Sequence, residues 1–307
     1  MTALPFRLAR LGGSNGAAGI AAALGERLRV AEWAGEVAVS GGGYLSVTAS
    51  PERLVALAPR VVAAGEGCAR SDALAGRSVT VPAAASLAAA GTWEQAWEQA
   101  TAGALARIAG AAGAKVDSDT ERILPARPCT AWQDRVADAI AYAGEDPIRY
   151  ALARRPGPPR GGLDARMCVL KLRQNPYFAV THAHASAAAV LRWAADLGLD
   201  RGRPADVGPA LLADPREMAL LTAISWLPER AAQAARHRRP SLLAAYLEDL
   251  AGAWQDCAEG CPALPSGGRA APRDPAVAAA RLWLAAAART ALGAGLRLFG
   301  VAAPAGV

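Results

Sequence analysis

From about residue 138 to residue 307 the chain is a succession of apolar, helix-period stretches cut by proline. Pro147, the Pro-Gly-Pro-Pro run at 156–159, Asn175-Pro176, Asp214-Pro215, Pro228, Pro240 and Asp274-Pro275 stand as first-turn residues or as breaks. Proline has no amide hydrogen and its ring collides with the preceding turn, so it opens and ends helices but is costly inside them. The segment must therefore fold as separate helices packed on one another. Asp214 caps a helix on which Met218, Leu221 and Ile224 share a face, and Pro228 ends it. A short helix then closes in Arg236, His237, Arg238 and Arg239. Pro240 opens a long helix that turns Leu243, Tyr246, Leu247, Leu250 and Trp254 toward a core. Apolar residues make up 53% of the chain and rest on alanine, with aromatics at 5%, which favours closely packed helices.

The beginning of the chain reads differently. Residues 1–65 form a compact α/β unit: two helical stretches, then strands at 35–40 and 44–49 around Gly41, Gly42 and Gly43. Val37 and Val39, then Leu45 and Val47, alternate with period two, and the glycines supply the positive φ of a tight reversal. Ser50-Pro51 opens a helix running toward Gly65, with a kink expected at Pro59. Residues 66–137 lose this periodicity and read as a shortened connector holding one helix, around 92–108. The reading is α+β overall and mostly α, in units 1–65, 66–137 and 138–307, without an internal repeat.

Only Lys115 and Lys171 among the 33 basic residues are lysine, and 27 acids leave a net charge of +6. An arginine-rich surface permits a polyanionic partner, because the guanidinium forks onto phosphate and stacks on bases. Five cysteines without C-x-x-C spacing build neither a disulfide framework nor a zinc site. No charged start leads into an apolar run, and Arg281, Arg289 and Arg297 interrupt the most apolar stretch, 276–301, so neither a signal peptide nor a membrane span is expected. A reduced, cytoplasmic protein follows, with no metal and no cofactor.

Catalytic patterns are absent as well. The sequence holds no Gly-x-Ser-x-Gly elbow, no phosphate loop ending in Gly-Lys-Ser and no His-Glu-x-x-His. His182 and His184 point about 200 degrees apart on a helix, so one metal cannot take both, and His184 reads as a packing and hydrogen-bonding residue. Glu248 and Asp249 read as a solvated face or a helix-to-helix hydrogen bond.

Five segments carry a resemblance, four of them from residue 145 onward. EDPIRYALARR at 145–155 has Asp146, Ile148 and Arg149 in register with the signature of the DALR-type anticodon-binding domain of arginyl-tRNA synthetases, with Pro147 in place of its alanine. NPYFAVTHAHA at 175–185, the Tyr246–Ala251 run and residues 281–307 are similar to the same domain. More distantly, 25–57 resembles the amino-terminal additional domain of that family, which contacts the outer corner of the tRNA. The resemblance implies an all-α anticodon-binding bundle at 138–307 and tRNA as partner. It also implies a missing class I catalytic domain. No His-x-Gly-His occurs, Lys115 stands alone where the lysine loop would fall, and 66–137 is too short for the nucleotide-binding fold. A second departure is that Cys257, Ala258 and Glu259 stand where the family presents a Phe-Tyr-Asn group near the anticodon loop, which places an acid where RNA would approach.

The first reading is thus a non-catalytic RNA-binding protein using Tyr177, Arg192, Trp254, Arg281 and Arg289, with Arg236, Arg238 and Arg239 as a phosphate-facing cluster. The alternatives are a protein-interaction or regulatory module that has lost RNA binding, and an arginine-tRNA ligase completed by a separate catalytic chain. A cationic last turn that merely complements the helix dipole remains the other reading of the arginine cluster.

Overall fold

The computed structural model describes residues 8–10, 16–83, 86–119, 135–265, 272, 274–304 and 306. The first of the two helices expected before the hairpin, and Cys129, fall mostly or wholly outside these residues. Helix α1 (Ala17–Arg29) packs on a hairpin of β1 (Ala34–Ser40) and β2 (Tyr44–Ala49), antiparallel with Val39 opposite Leu45 and Ser40 opposite Tyr44. Gly43 has φ 102°, and a Cβ there would lie 2.6 Å from the Ala17 carbonyl carbon. Only glycine lets the turn close onto the start of α1.

Helices α2 (Pro51–Val55) and α3 (Leu57–Ala64) follow, with the Ser50 hydroxyl accepting from the Arg53 amide. The break falls at Ala56 rather than at Pro59. Pro59 has no N–H to give the carbonyl four residues back, that of Val55, so the helix parts one turn upstream of the proline.

The 66–137 segment contains structure the sequence reading missed. Strands β3 (Ser78–Pro82) and β4 (Lys115–Asp119) pair in parallel, Ser78 with Lys115 through Pro82 with Asp119, across helix α4 (Trp93–Ala111). This is a β-α-β unit, since parallel neighbours require a crossover. Thr92 caps α4 through its side chain.

Helices α5 (Val136–Ala143), α6 (Glu145–Ala153), α7 (Ala165–Val169), α8 (Pro176–Asp196), α9 (Pro215–Ser225), α10 (Leu227–Arg236), α11 (Pro240–Gly260) and α12 (Pro275–Leu298) form the expected bundle. Leu243, Tyr246, Leu247, Leu250 and Trp254 of α11 are all buried, as their spacing predicts. One continuous core joins α2 and α3, the β-α-β unit and the bundle. Helices α8, α11 and α12 lie at its centre. A Cβ at Gly295 of α12 would run into the Leu247 side chain, so that side chain of α11 packs directly on the α12 backbone. His184 is buried and its Nδ1 lies 2.7 Å from the Pro304 carbonyl, tying α8 to the last residues. Burial holds its imidazole below the usual histidine range. Glu248 is a helix-to-helix link: Arg154 donates to both its oxygens, at 2.9 and 3.0 Å. Among the described residues no helix is long and apolar enough to cross a membrane.

Candidate nucleic-acid interface

The C-terminal end of α11 borders a cavity of about 470 Å³, shared with α8, residues 261–265 and the start of α12. It exists because α11 presents small side chains there, Cys257 and Ala258, between two larger walls. One wall is Trp254, 3% exposed, whose indole N–H donates to the Ser186 hydroxyl at 2.8 Å. The other is Trp193 of α8, 58% exposed, which also lines the cavity. His182 and Leu264 contribute further lining. The volume falls within the range of small-ligand clefts, and the indoles offer flat apolar surface with a few polar groups nearby.

The rim carries charge that is already balanced. Arg173 donates to Glu259 at 2.6 Å, both side chains being about two-thirds exposed. The acid that the sequence places in the path of RNA is therefore paired with a cation rather than left to repel. Behind the rim, Arg281 donates through Nε to Glu217 at 2.7 Å and through Nη1 to the Pro262 carbonyl at 3.1 Å. Glu217 is 1% exposed and also accepts the Asp214 amide, closing a capping box at the start of α9. Arg281 thus links α9, the 262 loop and α12 as a structural counter-ion. Burial pushes the thiol of Cys257 up to about 12 and that of Cys261 up to about 11, so both stay protonated and are poor nucleophiles or ligands. Among the described residues no group of three His, Cys, Asp or Glu could hold a metal ion.

The residues singled out in the sequence do not form one site. Trp254 and Arg281 both line the cavity, and Arg192 is exposed beside Trp193. Tyr177 is half-buried at the core edge, its ring 6.1 Å from that of Tyr150, and burial raises its hydroxyl pKa. Arg289 is exposed on another concavity of about 480 Å³, which Arg201 also lines. Arg236, Arg238 and Arg239 lie at the opposite end of α11, whose 21 residues span about 30 Å at 1.5 Å each. There Arg236 is paired with Glu229 at 3.1 Å, and Arg238, with φ 53°, donates to the Thr80 carbonyl at 2.6 Å. Arg239 is exposed. Trp193 and Arg173 are cavity residues that the sequence reading passed over. The signal available for Trp193 was a large aromatic next to Arg192 near the end of a helix in which eight of the 21 residues are alanine.

Residues 180–306, which hold most of this cavity, match the DALR anticodon binding domain. The C-terminal half is homologous to the corresponding part of arginine–tRNA ligases. That of Clavibacter sepedonicus is 37% identical over 167 residues, 54% of this chain and 29% of the relative. That of Frankia alni is 39% identical over 168 residues, 54% of this chain and 30% of the relative. Thermus thermophilus arginyl-tRNA synthetase superposes with a TM-score of 0.43 at 25% identity, over 69% of this chain and 31% of that one. The chain spans less than a third of the length of these proteins.

Proposed function

We propose that this chain is a non-catalytic, cytoplasmic, arginyl-tRNA-synthetase-like protein that binds the anticodon arm of a tRNA at the cavity end of α11. The observation that carries the reading is an open, tryptophan-walled cavity inside the segment that matches the DALR domain, with Arg173 in its lining. Sequence-selective RNA recognition works by splaying loop bases onto aromatic faces, while phosphate contacts supply affinity. Trp193 is placed to stack such a base and Trp254 to form the wall behind it. Arg173 at the rim, exchanging Glu259 for phosphate, and the exposed Arg192 next to Trp193 in sequence supply the charge for flanking phosphates. Arg281 holds the cavity's shape rather than touching the RNA.

The non-catalytic part of the reading rests on chemistry. Activating an amino acid on ATP requires groups that hold phosphates and stabilise developing charge. The β3-to-α4 connection, residues 83–92, contains no histidine, lysine or arginine, and His-x-Gly-His occurs nowhere in the chain. The chain's relatedness to ligases lies in its C-terminal half.

Two measurements test the two parts separately. Arginine-dependent exchange of pyrophosphate into ATP should not rise above a boiled control, and a rise overturns the non-catalytic reading. Fluorescence anisotropy with unmodified tRNA at two salt concentrations should show binding that weakens as salt rises. Absence of binding at low salt overturns the RNA reading.

A further inference from the structure

Beyond the Arg173 rim, α5 packs on α7 and exposes apolar side chains. Tyr142 is 63% exposed, Met167 58% and Leu172 52%, with Val169 and Leu170 also exposed. These residues sit on a braced segment. Asn175, itself buried, donates from Nδ2 to the carbonyls of Cys168 at 2.9 Å and Leu170 at 2.8 Å, and its amide donates to the Leu172 carbonyl. Asp164 caps α7 through the Arg166 amide, and Cys168 is turned inward. The backbone is thus held from within while the apolar side chains face out.

The same stretch is basic. Between residues 154 and 173 stand Arg154, Arg155, Arg160, Arg166, Lys171 and Arg173 against the single acid Asp164. Arg154 is paired with Glu248 and Arg173 with Glu259. Arg155, Arg160, Arg166 and Lys171 are exposed in the same stretch of chain as Met167, Val169, Leu170 and Leu172. On α5 itself Asp138 is exposed too.

We propose that this face docks an acidic amphipathic helix of a partner protein. A helix with an apolar stripe covers a row of Met, Val and Leu side chains, and acidic flanks complement the surrounding cations. RNA answers the charge but not the apolar row, since its affinity comes from phosphate contacts. A second copy of this chain would set one basic rim against another. The inference does not depend on the RNA-binding reading, because its residues lie on α5, on α7 and on the segments either side of α7.

The test uses the full chain and a fluorescent peptide of about 18 residues, long enough for a stable helical face, with leucines at helical spacing and glutamates elsewhere. A scrambled peptide of the same composition, polyglutamate, and vesicles of phosphatidylcholine and phosphatidylserine are the comparisons. The ordered peptide should bind at least about tenfold more tightly than the scrambled one. The Met167→Glu/Leu172→Glu double variant should lose that binding by a similar factor while melting like the parent, both positions being exposed. Arg160→Glu/Arg166→Glu should weaken it and steepen no other property, and Trp193→Ala should leave it unchanged. Equal binding of ordered and scrambled peptides, indifference to the double variant, or tighter binding to the vesicles than to the ordered peptide overturns the proposal.

Discussion

The two ends of α11 show how differently charge and space act on one helix. At its N-terminal end three arginines crowd together in sequence, yet Arg236 is held by Glu229 and Arg238 by the Thr80 carbonyl. At its C-terminal end Cys257 and Ala258 leave a cavity between Trp193 and Trp254. A run of like charges attracts the eye, yet two of its three members are already engaged within the fold. A gap between two indoles is not engaged in that way, and it stays available to a ligand.

The largest expected effect tests what keeps the open end open. Arg281→Ala strands Glu217, 1% exposed, without its counter-ion. Removing one partner of a buried ion pair costs about 3–5 kcal/mol, so urea denaturation should show a loss of that size. A loss below about 1 kcal/mol, the range of an exposed pair, would mean that the floor of the cavity is held by something else.

Next comes the comparison itself. Trp193→Ala should lower tRNA affinity by about 5- to 150-fold, since base–aromatic stacking is worth about 1–3 kcal/mol. Arg236→Ala should change it by less than about threefold, because one partly paired surface charge contributes little. The reverse ranking in anisotropy titrations would move the RNA interface to the other end of α11.

A third effect concerns α8, which walls the cavity. His184 titrates below its ordinary value of 6.5 because burial disfavours the charged ring. The unfolded chain therefore binds more protons than the folded one as pH falls through about 6.5, and stability should be full above that pH and decline below it. Thermal melts between pH 7.5 and pH 5 should show the decline, and His184→Gln should flatten it. An unchanged slope in the variant would assign the decline to other groups.

The smallest effect sharpens the electrostatics of the rim. Glu259→Gln releases Arg173 from an exposed pair worth about 0–1 kcal/mol, so tRNA binding should tighten by less than about fivefold, with a steeper salt dependence. Weaker binding would show that Glu259 accepts a hydrogen bond from the ligand.

Local regularities were legible in the sequence, and contacts across the fold were not. The buried face of α11 and the hairpin around Gly42 and Gly43 follow from period and turn chemistry alone. Strands β3 and β4 did not show, because five residues each, one ending in proline and the other carrying Lys115, Asp117 and Asp119, lack the signature of a buried strand. Their pairing depends on α4 bringing them together. The pairing of Arg281 with Glu217 was hidden because the two lie 64 residues apart. Glu259 read as a repulsive charge because Arg173 lies 86 residues away. The cavity was hidden for the same reason, being a space among α8, α11 and α12 that no single stretch encodes.

Gly295 sets a limit on how this protein can drift. Alanine fills helix after helix of the chain and is the substitution a helix ordinarily tolerates best. At position 295 it would have to displace the fully buried Leu247. A lineage that accumulates alanine elsewhere without harm therefore meets a steric wall at this position, and a deep substitution survey should find the most permissive residue of the bundle among the least permitted there.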